Sequence, residues 1–200
     1  MKVILVHGFK SSSQKNFFPW LKEQLIKKGC EVIVPDLPDP EAPNPEEWTK
    51  ALIEEVRSVD DETIVVGHSI GATAALRFLE AVEARSTVKG CILVAPPWRI
   101  KDERFEGFFM SELDFDVLMW KSSRFTVIHS HDDKVIPFDH AKKYATVLHA
   151  RLVERNEGEG HFQGERYPII LQEIERMMNE EIVYEPGMTL DDEYADLHER

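Results

Sequence analysis

Thr63-Ile64-Val65-Val66-Gly67-His68-Ser69-Ile70-Gly71-Ala72-Thr73-Ala74-Ala75-Leu76-Arg77-Phe78-Leu79 is the stretch that decides the fold. Its first four residues are β-branched and read as a short strand. Gly67-His68-Ser69-Ile70-Gly71 matches G-x-S-x-G, and the alanine-rich residues after it read as a helix. In such a strand–turn–helix elbow the serine sits on a tight turn, and flanking glycines leave room because they lack Cβ. Its hydroxyl is then exposed at the C-terminal edge of a sheet, above the positive end of a helix. That geometry favours attack on a carbonyl.

Outward from the elbow, strand-like and helix-like segments alternate without an internal repeat. Val3-Ile4-Leu5-Val6 is a continuous apolar run, as a strand buried on both faces requires. After a serine-rich loop, Asn16 is expected to cap a helix with Trp20, Leu21, Leu25 and Ile26 on one face, stopped at Gly29. A second strand, 31–34, ends in a proline-rich loop. Asn44-Pro45-Glu46-Glu47 is a helix start, and Trp48, Leu52 and Val56 then form a core-facing stripe. Further strands are expected at 63–66, 91–95, 125–129 and 151–155, with helices near Tyr144 to Leu148 and over 168–178. Strands separated by helices imply βαβ units with right-handed crossovers. The expected fold is α/β, with about six mostly parallel strands and helices on both faces.

The chain has 200 residues, 42% of them hydrophobic, which suits one globular domain. Its formal charge of −13 argues against binding to nucleic acid or anionic membranes. No apolar run is long enough to span a bilayer, and Met1 to Val6 reads as a strand rather than an export signal. The expected location is the cytoplasm. Cys30 and Cys91 lie in or beside apolar stretches and read as buried thiols, not as a disulfide or metal pair. No phosphate-cradling loop or dinucleotide fingerprint occurs, so no cofactor is expected. The expected organisation is a domain over 1–178 followed by an acidic extension, 179–200, either a solvated tail or a docked appendage.

The segment 98–120 breaks the rhythm with Trp98, Phe105, Phe108, Phe109, Met110, Leu113, Phe115, Leu118, Met119 and Trp120. It reads either as a helix covering the sheet or as a cap and pocket wall beside the serine, since ligand sites are concave and largely apolar. On the second reading Trp98, Phe108 and Phe109 would line a substrate pocket, together with His7 after the first strand.

Ser69 needs a base within hydrogen-bond reach, because a serine hydroxyl is a poor nucleophile at neutral pH. Behind an elbow of this kind the acid and then the base follow along the chain. His129-Ser130-His131-Asp132-Asp133-Lys134-Val135-Ile136-Pro137 ends a strand in two adjacent acids, and either could serve. Gly158-Glu159-Gly160-His161-Phe162 supplies a histidine in a glycine-flanked loop, expected to be flexible and to reach over the sheet edge. The loop after the first strand normally gives one oxyanion N–H, so the backbone N–H groups of Phe9 and Ile70 are the expected donors. His68 reads as structural; His140, His149 and His198 read as surface residues. His129, His131 and Asp133 have H-x-H-x-D spacing, but that aspartate is better explained as the acid, and no metal is expected.

The His7-Gly8 loop, Trp20, Trp48, Gly67-His68-Ser69-Ile70-Gly71, Asp133-Lys134-Val135-Ile136-Pro137 and Gly160-His161-Phe162 together resemble the small α/β-hydrolases. The resemblance runs from about Lys2 to Met178. The nearest group is the compact serine hydrolases that include the retinoblastoma-binding serine hydrolase of animals and bacterial YdeN-like proteins. It selects Asp133 over Asp132 and implies a triad of Ser69, Asp133 and His161. It implies carboxylesterase-like or peptidase-like cleavage of a small ester, thioester or amide through an acyl-enzyme, with a small-molecule acyl substrate and no metal. The alternative is a binding protein on a hydrolase scaffold with little turnover. The retinoblastoma-binding pattern L-x-C-x-E is missing from the chain, so no such partner is implied. Nothing in the sequence indicates the oligomeric state.

Overall fold

A continuous apolar run becomes a two-sided strand in β1 (Lys2–Val6). Val3 and Leu5 pack into one core, Ile4 and Val6 into the other, because successive side chains of a strand point to opposite faces. In β3 (Thr63–His68) Ile64 and Val66 divide from Val65 in the same way. In this computed structural model, which describes residues 1–122 and 124–180, these strands join β2 (Glu31–Ile33), β4 (Gly90–Val94), β5 (Phe125–Ser130) and β6 (Arg151–Arg155). The six form one sheet in the order β2-β1-β3-β4-β5-β6, every pair parallel. Most of the acidic extension, from residue 181, lies outside the described residues, as does His198.

Two layers of helices cover the sheet. α1 (Phe18–Lys27) and α6 (Pro168–Asn179) pack on the face of Val3 and Leu5. α2 (Pro45–Val56), α3 (Ile70–Ala81), α4 (Phe115–Lys121) and α5 (Asp139–Val147) pack on the other. None of the helices among the described residues is long and apolar enough to cross a membrane.

α2 starts as its sequence dictates, with Asn44 Oδ1 accepting from the N–H groups of Glu46 and Glu47 at 2.9 and 3.1 Å. α1 differs from expectation. Asn16 sits at φ 54° and donates its amide to Ser11 Oγ, and the helix begins at Phe18 without a side-chain cap. Burying the stacked Phe17–Phe18 pair, 4.6 Å between ring centres, outweighs the cap. The buried stripe is therefore Phe18, Leu21 and Leu25, while Ile26 stays exposed.

The 98–120 segment forms a 3-10 helix over Glu103–Phe109 and then α4. Phe105, Phe108 and Leu118 enter the core beneath it. Arg77 of α3 staples it from below, donating to the carbonyls of Phe108 and Glu112 at 3.2 Å and to that of Ser111 while paired with Glu80.

The strand order sets where a ligand can bind. After β1 the chain turns to the face that carries α1, and after the neighbouring β3 it turns to the face that carries α3. The loops holding Gly8-Phe9 and Ser69 diverge there, at a topological switch point on the C-terminal edge, where open α/β sheets bind ligands.

Candidate active site

Ser69 joins β3 to α3 at φ 56° and ψ −132°, a region that costs a non-glycine residue about 1–3 kcal/mol. Neighbouring backbone holds it there: its N–H donates to Val94 O at 2.9 Å, and its carbonyl accepts from Ala72 N at 2.8 Å. The flanking glycines are steric necessities. A Cβ on Gly67 would come within 2.5 Å of Ala72 Cα, and one on Gly71 within 2.2 Å of His7 O. The elbow is thus wedged against the β1 loop. The N–H groups of Phe9 and Ile70 donate no hydrogen bond among the described residues.

His161, 92 residues further on, places Nε2 2.9 Å from Ser69 Oγ. Its Nδ1 lies 2.7 Å from Asp133 Oδ2. The Asp133 side chain is fully buried, and its Oδ1 accepts from Val135 N and Ile136 N at 2.8 and 3.0 Å. Burial alone would raise its pKa. The N–H donors of the His129 and His161 rings and of Ile136 outweigh that and hold the carboxyl well below the usual range. An ionised Asp133 fixes the proton of His161 on Nδ1 and leaves Nε2 to accept from the serine.

The histidine loop is anchored rather than loose, which differs from expectation. Asp132 Oδ2 accepts from Gly158 N at 2.7 Å and its Oδ1 from Gly160 N at 2.9 Å. Ser130 Oγ also donates to Asp132; this bond and the loop N–H groups lower the acid's pKa. On the other side His68 Nε2–H donates to His161 O at 2.8 Å. Burial, then the neighbouring His161, pushes the His68 pKa down to about 3, so the elbow histidine stays neutral. Phe162 is wholly buried and closes the loop against Tyr167. Gly158 and Gly160 adopt the positive φ that turns their N–H groups to Asp132.

Two of the expected pocket residues belong to the core instead. His7 is 1% exposed, with Nε2 accepting from Leu37 N and Nδ1 donating to Gly8 O, both at 3.0 Å. Phe108 is also 1% exposed and meets Trp48 edge to face. Phe109 is half-buried against the same core. Trp98 stacks on Phe115 and turns its edge to Tyr144, bordering a shallow recess with Lys142, Lys143, Thr146 and Val147. His140 is not a plain surface residue, because its Nδ1 accepts from Trp98 N at 3.0 Å. A cleft of about 460 Å³ opens beside His161, lined by Asp132, Lys134 and Val135 and by residues 158–161, 163, 164 and 167. His129 and His131 share no centre: His129 meets Asp133, whereas His131 meets Glu154.

Sequence reasoning missed the supporting roles of Asp132 and His129, whereas His68 is structural as expected. The only signal for Asp132 was its place in an acid pair upstream of a glycine-rich loop.

The chain is similar to known proteins. The serine hydrolase family model matches residues 3–173. YdeN of Bacillus subtilis (strain 168) is 34% identical over 167 residues, covering 80% of this chain and 85% of that protein. The serine hydrolase RBBP9 of Rattus norvegicus is 25% identical over 183 residues, covering 88% and 95%. The crystal structure of the B. subtilis ydeN product superposes with a TM-score of 0.84 at 29% identity, covering 90% of this chain and 99% of that one.

Proposed function

The chain belongs to the serine hydrolase family, and on that footing we propose that it cleaves a small ester, thioester or amide through an acyl-enzyme on Ser69. The observation that carries this reading is the pair of contacts at His161, 2.9 Å to Ser69 Oγ and 2.7 Å to Asp133 Oδ2. Ser69 Oγ attacks the carbonyl carbon while His161 Nε2 takes its proton, and the imidazolium then gives that proton to the departing oxygen, sulfur or nitrogen. Water repeats the sequence to release the acid and restore Ser69. Asp133 remains ionised throughout and stabilises the imidazolium. The free N–H groups of Phe9 and Ile70 are suited to receive the oxyanion, an interaction worth about 3–4 kcal/mol per donor in comparable sites.

On this reading residues 1–178 are the catalytic domain and 98–120 a docked wall at its edge. A fluorophosphonate probe should label the protein stoichiometrically, and Ser69→Ala should abolish both labelling and turnover of p-nitrophenyl acetate. Labelling that persists in Ser69→Ala would refute the assignment. Labelling without measurable turnover on any short acyl substrate would favour a binding role.

A further inference from the structure

Residue 129 lies in β5, among Phe125, Thr126, Val127 and Ile128, where every side chain is buried. A leucine would fill such a place. The histidine there is 0% exposed, and its Nδ1 has no partner among the described residues. Burying an imidazole half-satisfied carries a cost that calls for a return. Its other nitrogen, Nε2, lies 3.1 Å from Asp133 Oδ2 and 3.0 Å from Ile136 O. Both partners are acceptors, so the network assigns the proton to Nε2, which donates to both.

We propose that His129 is a positioning residue for the reaction, holding the Asp133 carboxylate in the orientation that His161 requires. The proposal rests on the triad reading above. Asp133 Oδ2 takes two imidazole donors, His161 Nδ1 at 2.7 Å and His129 Nε2 at 3.1 Å, while Oδ1 takes the two backbone donors. Without His129 the Oδ2 side would be held by His161 alone, the group it is meant to orient. Ile136 O would also lose the donor that ties down the turn after Asp133. Phe138 closes the space edge-on, 5.7 Å from the His129 ring. The other titratable groups facing this cluster are His161 from the β6–α6 loop, His68 from the elbow and His140 from α5.

His129→Leu fills the volume and removes the donor, whereas His129→Gln can set an amide N–H near the position of Nε2. On p-nitrophenyl acetate, His129→Leu should lower kcat about 5–10-fold, the factor one buried hydrogen bond supports, with KM within about twofold. His129→Gln should restore most of kcat. A folded His129→Leu with wild-type kcat overturns the proposal, as does a loss carried by KM with kcat unchanged or a glutamine variant no better than leucine. If melting shows that the leucine variant does not fold, His129→Asn replaces it, its amide falling short of Asp133, with the same order expected and the reverse order overturning the proposal. Ser69→Ala run alongside separates the cases: turnover surviving there defeats the triad reading, whereas turnover lost there with His129 variants unaffected defeats this inference alone.

Discussion

Asp132 and Asp133 are adjacent in sequence, and their asparagine variants should fail by different amounts for different reasons. Asp133 Oδ2 accepts from two ring N–H groups and Oδ1 from two backbone N–H groups. Asparagine has one acceptor oxygen. If that oxygen faces Val135 and Ile136, an NH2 group confronts His161, which then turns its proton towards Ser69 and loses its role as base. The expected loss in kcat is about 10⁴-fold, the scale set by an enforced wrong tautomer. If the oxygen faces His161 instead, two backbone donors at 2.8 and 3.0 Å meet an NH2, at about 1–3 kcal/mol for each buried group left unpaired. Asp132→Asn removes less. One of the Gly158 and Gly160 N–H groups keeps an oxygen and the other loses a charge-assisted bond worth about 1.5–3 kcal/mol. The loop shifts and His161 keeps its tautomer, so kcat should fall about 10–100-fold, the usual penalty for misplacement by roughly 1 Å. Steady-state hydrolysis of p-nitrophenyl acetate and the rate of fluorophosphonate labelling measure both variants. A larger loss in Asp132→Asn than in Asp133→Asn would refute the reasoning and exchange the roles of the two acids.

Lys121→Met tests a stabilising element remote from the elbow. Lys121 is 2% exposed, and its ammonium donates to Val82 O at 3.1 Å, to Ala84 O at 3.2 Å and to Glu83 O, closing the C-terminal end of α3. Losing it should cost about 2 kcal/mol and lower Tm by about 4–8 °C by calorimetry, with Ser69 still labelled at the wild-type rate. The depressed pKa of Asp133 gives a pH signature: its ionised form stabilises the fold above the unfolded value of about 3.9, and that contribution fades as pH falls below it. The gap in urea midpoint between wild type and Asp133→Asn should therefore be widest near neutrality and narrow in acid. A gap that stays constant down to pH 3 would contradict the assignment.

The sheet was legible because its strands are apolar runs whose alternate residues serve two cores, as Val3 and Leu5 against Ile4 and Val6 show. The proposed order of serine, acid and histidine was read for a similar reason, since each lies in the loop that follows a recognisable strand. The choice of Asp133 over Asp132 came from the family resemblance and not from the residues themselves. Adjacent side chains at a strand end point apart, and the turn that decides which faces His161 is made of backbone contacts that residue types do not encode. Phe108 misled because an aromatic residue fits a pocket wall and a core equally well until its neighbours are known; Trp48 claims it. Asn16 misled because a cap worth about 1 kcal/mol gives way to the burial of two phenylalanines. His129 stayed hidden for the same kind of reason: its partner is four residues away across a turn rather than one face away along a strand.

What the structure adds to the proposed triad is the way a loop histidine acquires the precision of a residue on a strand. His161 is fixed through three separate groups: its ring Nδ1 by Asp133, its carbonyl by His68, and the N–H groups of Gly158 and Gly160 before it by Asp132. Both acids follow directly on β5, and His68 is the last residue of β3, so all three holders are set by a buried parallel sheet. With those contacts made, Nε2 remains the ring's free acceptor, and Ser69 Oγ is 2.9 Å from it. Ser69 is itself confined by a strained turn that the β1 loop will not let relax. The proposed nucleophile and base are therefore both tied to one sheet, Ser69 through the end of β3 and His161 through the ends of β3 and β5, so their separation does not depend on the order of the loop alone. Releasing either holder of the loop, Asp132 or His68, should therefore reduce the rate by misplacement while leaving the chemistry of Ser69 intact.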